Sequence, residues 1–287
     1  MRRTGWSFLL TPRWLGLAVL MGLAAVAMVG FGRWQLDRYH QRDAINARID
    51  AAATADPVPL ASVVDSPRTG AAGTAGAAGT AGPPPPKQAE WTRVAITGRY
   101  DQAHEILARS RTVNSQVGFE VFTPLVLADG TAVLIDRGWV PVPSTGGATA
   151  LPNVPPAPAG EVTVLGRVHA PESRAGAPTP VSGKLEVLRV APEKVATALP
   201  YPLYGAYVTM ESQTPPAEGF VPVPPVHENA LMNASYVVQW WLLAALTLFG
   251  FGYLAWRERQ GQDDFDREVV DLLGPVTPPE APVSPAV

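Results

Sequence analysis

Two long runs of apolar residues without charged side chains lie near the two ends of this 287-residue chain. The first occupies residues 14–32, and the second lies within residues 229–256. A helix rises about 1.5 Å per residue, so the first run reaches roughly 28 Å, close to the roughly 30 Å hydrocarbon core of a bilayer. Because lipid offers no hydrogen-bond partner to the backbone, such runs should be helical. The pattern predicts transmembrane helices at residues 14–33 and 234–256.

Positive charges around the second run indicate its orientation. No Lys or Arg occurs between residues 214 and 233, whereas three Arg residues follow the run within residues 257–267. Since positively charged flanks stay in the cytoplasm, we expect both chain ends, residues 1–13 and 257–287, to be cytoplasmic. A cleaved signal peptide is the alternative for the first run, because residues 25–27 resemble a small-residue cleavage site.

The chain between the two runs changes its composition twice. Residues 34–50 contain no Pro or Gly, so the first helix should continue into water. Residues 51–90 are rich in Ala, Gly, Thr and Pro, and we expect a disordered linker that builds no core. Residues 91–228 should form a mainly β extracytoplasmic domain. Residues 257–287 should be an acidic, Pro-rich tail with a short helix at 263–273.

A β-hairpin is the clearest prediction within the central domain. Asp129-Gly130 separates two β-rich runs, at residues 119–127 and 131–140, and both turn residues should take positive φ. Both faces of these strands are apolar, which suits a sandwich or a small barrel. Further strands are predicted at residues 91–100, 162–168, 185–190 and 204–210, with a short helix at 192–199. The predicted fold is therefore an α+β membrane protein, with two transmembrane helices flanking a mainly β domain.

Composition excludes several classes of function. The chain has no cysteine, which excludes disulfides, thiolate catalysis and CxxC sites. Its positive residues are scattered, so it lacks the clustered basic surface of a nucleic-acid-binding protein. Neither Gly-x-Ser-x-Gly nor His-Glu-x-x-His occurs, and we assign no catalytic residue and no enzymatic activity. The bias towards Arg, Ala, Gly and Pro suggests a GC-rich bacterium, and hence its plasma membrane.

Two of the four histidines lie near the predicted outer ends of the helices. His40 follows the first run by about two turns, and His227 shortly precedes the second. No two histidines have the i, i+3 or i, i+4 spacing that grips a metal ion, so we predict no metal site. Haem iron accepts imidazole ligands, so His40 and His227 are candidate haem ligands. Two unrelated solvated side chains are the alternative.

A first candidate for partner binding follows the first apolar run. Trp34 and Arg38 should share one face of the continuing helix, because they are four residues apart. Membrane anchoring explains both residues through the aromatic belt and snorkelling, but it leaves Gln35 unexplained.

A second candidate closes the hairpin and consists of Arg137, Gly138, Trp139 and Pro141. Gly138 should let another backbone approach, and Pro141 should end the strand. By alternation Asp136 and Arg137 should point to opposite faces. The cluster is either a buried structural Arg with Trp packing or a docking surface for another protein.

A third candidate opens the second run and contains Tyr236, Gln239 and Trp240. Gln239 lies within an apolar helix, where an amide normally seeks a partner inside a protein interface. Pairing with the first helix, or with Gln35, is the simplest explanation.

Taken together and in this order, the three clusters resemble the Surfeit locus protein 1 family of cytochrome c oxidase assembly factors. The resemblance covers most of residues 13–256, apart from the linker and the Pro-rich loops. The motifs that carry it are Gly32 with Trp34, Gln35, Leu36 and Arg38, then Gly98-Arg99-Tyr100, Thr123-Pro124-Leu125, Asp129-Gly130, Arg137-Gly138-Trp139-Val140-Pro141, Val164-Leu165-Gly166, and Tyr236 with Gln239-Trp240.

The resemblance implies a non-enzymatic membrane chaperone that helps to mature the haem-copper oxidase of the respiratory chain. Its partners would be the catalytic subunit of cytochrome c oxidase, haem A synthase and membrane lipid, with haem A handled transiently. Family members commonly carry a histidine three residues before the tyrosine of the second helix, where this chain has Asn233. His227, His40 or apolar contacts would then have to hold haem. A scaffold protein of a respiratory complex, without cofactor handling, is the alternative.

Overall fold

A computed structural model describes residues 6–67, 77–144 and 150–273 of the chain. The chain divides into two compact units. The helical unit consists of residues 1–44 and 228–287, and the β unit consists of residues 45–227.

The described residues form three α-helices, nine β-strands and several short 3-10 helices. The helices are α1 (Pro12–Thr54), α2 (Pro192–Val195) and α3 (Ala230–Leu273). The strands are β1 (Val58–Pro59), β2 (Arg93–Tyr100), β3 (Ile106–Val113), β4 (Gln116–Val126), β5 (Ala132–Pro141), β6 (Val162–His169), β7 (Thr179–Val181), β8 (Lys184–Val187) and β9 (Leu203–Thr214). The 3-10 helices are Ser7–Leu10, Leu60–Ser62, Lys87–Ala89, Gln102–His104 and Ala196–Ala198.

Helices α1 and α3 contain the two apolar runs, and both are long and apolar enough to cross a membrane. Helix α1 continues through the predicted extension as far as Thr54. Helix α3 does not stop after the second run but continues to Leu273, because residues 257–273 consist mostly of helix formers. The rest of the predicted tail, residues 274–287, lies outside the described residues.

Aromatic and small side chains pack α1 against α3. A side chain at Gly32 would collide with the indole of Trp241, so glycine allows the close approach of the helices there. The paired positions run in opposite directions along the chain, which makes the helices antiparallel. These pairs are Phe31 with Trp240 at 4.9 Å between ring centroids, Met28 with Thr247 at 3.7 Å, and Trp14 with Phe251 at 5.9 Å between ring centroids.

The β unit confirms the predicted mainly β domain. Its strands form one sheet in the order β1-β2-β6-β9-β5-β4-β3-β8-β7, rather than the two separate sheets of a sandwich. A further antiparallel pairing joins the end of β2 to the end of β4. The pairings of β2, β6, β9, β5 and β4 therefore close into a circuit.

Both faces of the central strand β5 are buried, as the apolar pattern predicts. Val133 and Ile135 belong to one buried cluster, whereas Ala132 and Leu134 belong to another that includes residues of α2. Successive residues of β5 thus belong to two hydrophobic cores on opposite sides of the sheet.

The hairpin between β4 and β5 is confirmed, but its turn differs from the prediction. Gly130 has a φ of 79°, whereas Asp129 does not take positive φ. The Oδ1 atom of Asp129 instead accepts hydrogen bonds from the backbone N–H and the hydroxyl of Thr131, at 3.0 and 2.6 Å. This side-chain turn stabilises a longer loop than the two-residue one, so only glycine needs the left-handed conformation.

The prediction of a coreless linker at residues 51–90 is wrong for its described part. Leu60 is 3% exposed and Val64 is 1% exposed, and both belong to the core of the β unit. They are four residues apart, beside the 3-10 helix Leu60–Ser62, so they point to the same side. Two buried aliphatic side chains anchor a segment whose average composition is otherwise that of a linker. Residues 68–76 lie outside the described residues.

Candidate functional site

Among the described residues, we consider one group of side chains in each unit as a candidate for function. The helix-end cluster consists of Gln35, Arg42, Glu228, Asn229 and Asn233, all in the helical unit. The Arg137 centre consists of Arg137, Glu105, Lys184, Tyr100 and Phe220, all in the β unit.

The helix-end cluster joins α1 to the start of α3. The Nδ2 atom of Asn233 donates a hydrogen bond to Oε1 of Gln35 at 2.9 Å. About two turns further along α1, a guanidinium nitrogen of Arg42 donates to the backbone oxygen of Asn229 at 3.2 Å. The Nε atom of Arg42 lies 3.6 Å from Oε2 of Glu228. The amide that anchoring left unexplained, Gln35, therefore has a partner inside the chain.

Gln239 does not pair with Gln35 or with α1. Val237 is buried, and a residue two positions further lies about 200° around the helix. The Gln239 side chain is accordingly exposed and makes no hydrogen bond with any described residue. Asn233, which the resemblance singled out as a departure, takes the partner role instead.

The remaining aromatic candidates of the helical unit differ in exposure. Trp34 is exposed, and the guanidinium carbon of Arg38 lies 5.9 Å from its ring centroid, so these residues share a face as predicted. Tyr236 is also exposed. Trp240 instead contacts Phe31 and helps to hold the helix pair together.

The Arg137 centre is a charged group enclosed within the β unit. The Arg137 side chain is 0% exposed and that of Glu105 is 5% exposed. Oε1 of Glu105 lies 3.5 Å from a guanidinium nitrogen of Arg137, and Oε2 accepts a hydrogen bond from Lys184 at 2.8 Å. The guanidinium also lies against the rings of Phe220 and Tyr100, at 4.6 and 5.3 Å. One buried carboxylate thus holds two cations.

A Pro-rich segment supplies two further hydrogen-bond acceptors to Arg137. The guanidinium donates hydrogen bonds to the backbone oxygens of Pro155 and Pro156, at 3.2 and 3.0 Å. Burial lowers the pKa of Arg137, while Tyr100 and Glu105 act in the opposite direction. Both carbonyl oxygens belong to a segment without regular secondary structure, so no helix or sheet hydrogen bond occupies them. Arg137 therefore fixes a loop that has no regular secondary structure of its own.

The neighbours of Arg137 on β5 behave as predicted. Gly138 has a φ of 128°, and a side chain there would collide with Phe220 and Val221. Trp139 exchanges two backbone hydrogen bonds of 2.9 Å with Val221, which is the approaching backbone that the glycine admits. Trp139 is 3% exposed, and Pro141 is the last residue of β5. Of the two alternatives for this cluster, a buried structural Arg or a docking surface, the structure shows a buried Arg137 beside a buried Trp139.

Asp136 points away from Arg137, to the opposite side of β5. Its Oδ1 atom accepts the backbone N–H of Gly138 at 3.0 Å, and its Oδ2 atom lies 3.3 Å from the hydroxyl of Thr209. Burial and the negative charge of Glu120 raise the pKa of Asp136 to about 8. Arg111, which contacts Glu120 at 3.1 Å, lowers it only in part. At neutral pH this carboxyl group is therefore mostly protonated.

A cavity of about 300 Å³ lies beside the Arg137 centre. Glu105 and Lys184 form its charged side, and apolar residues of the Pro-rich segment form much of the remainder. Its lining consists of Gln102, Glu105, Leu107, Leu151, Pro152, Val154, Pro155, Pro156 and Lys184. No residue predicted from the sequence as a site lines this cavity, although Arg137 shares Glu105 with it.

Comparison with known proteins identifies the family of this chain. A sequence model of the SURF1 family matches residues 22–245. The chain belongs to the SURF1 family. A SURF1-like protein of Mycobacterium tuberculosis is 29% identical over 255 residues, covering 88% of this chain and 87% of its own length. A SURF1-like protein of Dictyostelium discoideum is 27% identical over 40% of this chain and 38% of its own length.

A yeast relative has a name that states a function. The cytochrome oxidase assembly protein SHY1 of Saccharomyces cerevisiae is 27% identical over 132 residues, covering 45% of this chain and 30% of its own length. The family match includes the helix-end cluster and the Arg137 centre, because all of their residues lie within residues 22–245. It ends before the second half of α3 and the tail that follows.

The two histidines predicted as haem ligands lie in different units and have different neighbours. The Nε2 atom of His227 lies 2.8 Å from Oδ1 of Asp50 within the β unit, and both side chains are exposed. His40 is exposed in the helical unit, and its ring contacts that of Tyr39 at 5.4 Å. Neither residue lines the cavity beside the Arg137 centre. Their role as haem ligands therefore stays a prediction.

The sequence patterns do not indicate Glu105, the carboxylate on which the Arg137 centre depends. Glu105 directly precedes the buried residues Ile106 and Leu107 of β3. A charged residue next to an apolar run is common at the surface, so its burial carries little signal by itself. A buried Arg137 is one of the two alternatives that the sequence leaves open, and such a residue requires an acidic partner.

Proposed function

We propose that this chain is a membrane-anchored assembly factor for the haem-copper cytochrome c oxidase. The observation that carries the proposal is membership of the SURF1 family together with similarity to a yeast protein named for cytochrome oxidase assembly. The proposal assigns no catalytic step to the chain. It gives the protein a role in bringing other components together.

In this proposal α1 and the first part of α3 span the plasma membrane of a bacterium. Both are long and apolar enough to do so. The arginines that follow the second apolar run favour a cytoplasmic carboxyl end, and two spans then place both termini inside. The β unit would lie on the outer side, where no Lys or Arg directly precedes α3.

The partners in this proposal are membrane proteins of oxidase maturation, namely the catalytic subunit and haem A synthase. Exposed polar and aromatic side chains on the helical unit, such as Trp34, Arg38 and Tyr236, suit contacts with other membrane proteins. The buried Arg137 centre supports such a role indirectly, because it holds the shape of the β unit.

Haem A enters the proposal as cargo that passes through the assembly, not as a group that this chain keeps. The support for it is the resemblance to the Surfeit locus protein 1 family alone. A scaffold role without haem is therefore the natural competitor. The two differ in whether the purified chain ever carries haem.

Deletion of the gene in the source organism tests the assembly role. We expect loss of cytochrome c oxidase activity and of the assembled catalytic subunit, with another respiratory complex unchanged as an internal control. The wild-type gene supplied in trans should restore both. Normal oxidase in the deletion strain would remove the proposal, and a parallel loss of all respiratory complexes would favour the general scaffold.

An optical spectrum tests the part played by haem. The full chain is purified in mild detergent from cells that make haem A, and its absorption is compared with that of a variant carrying both His40→Ala and His227→Ala. A haem spectrum that both proteins share would indicate binding without these ligands. A spectrum lost only in the variant would identify them as ligands, and a colourless wild-type protein that also resists haem titration would leave assembly without haem handling.

A further inference from the structure

Helix α3 has one side that packs on α1 and another that packs on nothing in the described structure. Val237 and Ala244, seven residues apart, are both buried, and Trp240 and Trp241 contact α1. Seven residues make about two helical turns, so these positions define one continuous side. The opposite side is turned towards lipid in the arrangement that we propose, and the inference below rests on that arrangement.

The lipid-facing side carries a heptad pattern of large side chains. One row, in the positions usually labelled a, consists of Met232, Gln239, Leu246 and Tyr253. A second row, in the positions labelled d, consists of Ser235, Leu242, Phe249 and Trp256. The large apolar and aromatic members of both rows are between 48% and 72% exposed. This spacing is that of a helix that packs against another helix along its length.

The Gln239 amide favours a protein partner over lipid on this face. Its amide is exposed and has no hydrogen-bond partner among the described residues. The comparable amides at the start of the helix pair, Gln35 and Asn233, satisfy each other at 2.9 Å. Acyl chains can neither donate nor accept a hydrogen bond, so an amide in this position calls for a polar group of another protein helix.

We propose that a second copy of this chain covers the a/d face of α3, with the two α3 helices side by side in the membrane. Two copies inserted in the same sense present α3 in parallel, and in a parallel pair each a position meets its own counterpart. Gln239 both donates and accepts hydrogen bonds, so it is complementary to itself across a two-fold axis. A single polar a position also fixes the register of such a pair.

Cysteine cross-linking tests the proposal cleanly, because the chain contains no cysteine of its own. Single variants Gln239→Cys and Leu246→Cys place thiols seven residues apart on the a row. Val238→Cys is the matched control, since Val238 is 67% exposed and adjacent to Gln239 but lies about 100° around the helix from it. Each full-length variant is oxidised in isolated membranes, and dimers are read on non-reducing gels.

We expect strong dimer cross-links for Gln239→Cys and Leu246→Cys and several-fold weaker ones for Val238→Cys. Equal cross-linking at all three positions, or none at Gln239 and Leu246, would overturn the proposal. Cross-links from Gln239 to a different protein would overturn it too, and would show that a partner covers this face. Carbonate extraction of the same membranes tests insertion separately, so a failed topology is distinguishable from a monomer.

Substitution of Gln239 itself tests the hydrogen bond without cysteine chemistry. Two differently tagged copies are co-expressed, and one is captured in mild detergent to measure how much of the other follows. Gln239→Ala should weaken dimerisation by about fivefold to tenfold, whereas Gln239→Asn should retain part of it, since a shorter amide still bonds to itself. Undiminished capture with Gln239→Ala would contradict the role of the amide.

Discussion

Arginine has opposite surroundings in the two units of this protein. In the β unit, the Arg137 side chain is 0% exposed and is held by Glu105, two proline carbonyl oxygens and two aromatic rings. In the helical unit, the Arg42 side chain is 35% exposed, and its partner Glu228 is 48% exposed. The same residue type is fixed inside the fold in one unit and left at the surface in the other.

The difference separates residues that maintain the fold from residues that are available to partners. A buried guanidinium has lost its water and depends on every group that replaces it. An exposed ion pair keeps its water and contributes little to stability. Substitutions in the Arg137 centre should therefore act on folding, whereas those in the helix-end cluster should act mainly on the packing and association of helices.

Removal of the buried carboxylate should have the largest effect on stability. Glu105→Ala leaves the buried Arg137 side chain, which is 0% exposed, without a counter-ion, and it also releases Lys184. We expect a loss of about 3–5 kcal/mol in the free energy of unfolding of the β unit. Chemical denaturation of the full chain in detergent, followed by near-ultraviolet circular dichroism, measures it.

The matched control is Glu228→Ala in the helix-end cluster, which removes the partner of the exposed Arg42. The expected change is about 0–1 kcal/mol, because both side chains remain hydrated. Comparable losses from the two substitutions would show that burial does not separate the two arginines. The contrast between the units would then have no energetic basis.

How much of the fold follows from the sequence depends on how local its signals are. The two long helices are predictable because a continuous apolar run determines them. Strand β3 escapes prediction, because Arg109, Ser110 and Arg111 interrupt its alternation. Ser110 takes a φ of 61°, and the pairing with β4 shifts register between Arg109 and Arg111. A bulge of this kind hides a strand from any test of period two.

The candidate sites show the same limit. The approach of a second backbone at Gly138 follows from its residue type and its place in a strand. The partners do not, since Glu105 is 32 residues from Arg137 and Asn233 is 198 residues from Gln35. The burial of Leu60 and Val64 does not follow from average composition, because two apolar residues hardly change the average of a linker-like segment. Only the tertiary structure decides which distant polar groups meet.

The second prediction sharpens the contrast through pH, because a buried carboxyl group links folding to protonation. The pKa of Asp136 is raised from 3.8 to about 8, so the folded chain holds a proton that the unfolded chain releases between these values. Stability from this group is complete below about pH 4 and is lost as the pH rises through 8. Asp136→Asn should remove that loss, and it should flatten the fall of stability between about pH 4 and about pH 8, measured by thermal unfolding.

His169 supplies the matched comparison, since its proton acts in the opposite direction. Burial, with a smaller contribution from Arg167, lowers the pKa of His169 from 6.5 to about 4. Its contribution is complete above pH 6.5 and is lost as the pH falls towards 4. His169→Phe should therefore relieve the acid limb only, and Asp136→Asn the alkaline limb. Alkaline limbs that are identical in wild type and Asp136→Asn would mean that Asp136 is ionised in the folded protein.

The smallest expected effect concerns the amide pair of the helical unit. Gln35→Ala and Asn233→Ala each break the 2.9 Å hydrogen bond, so a double-mutant cycle isolates the coupling between them. Such bonds between membrane helices contribute about 0.6 kcal/mol on average, because the separated helices also find partners. We expect a coupling of that size from SDS titration of the detergent-solubilised chain. A coupling as large as the effect of Glu105→Ala would place this amide pair among the residues that maintain the fold. The expected energetic difference between the Arg137 centre and the helix-end cluster would then be wrong.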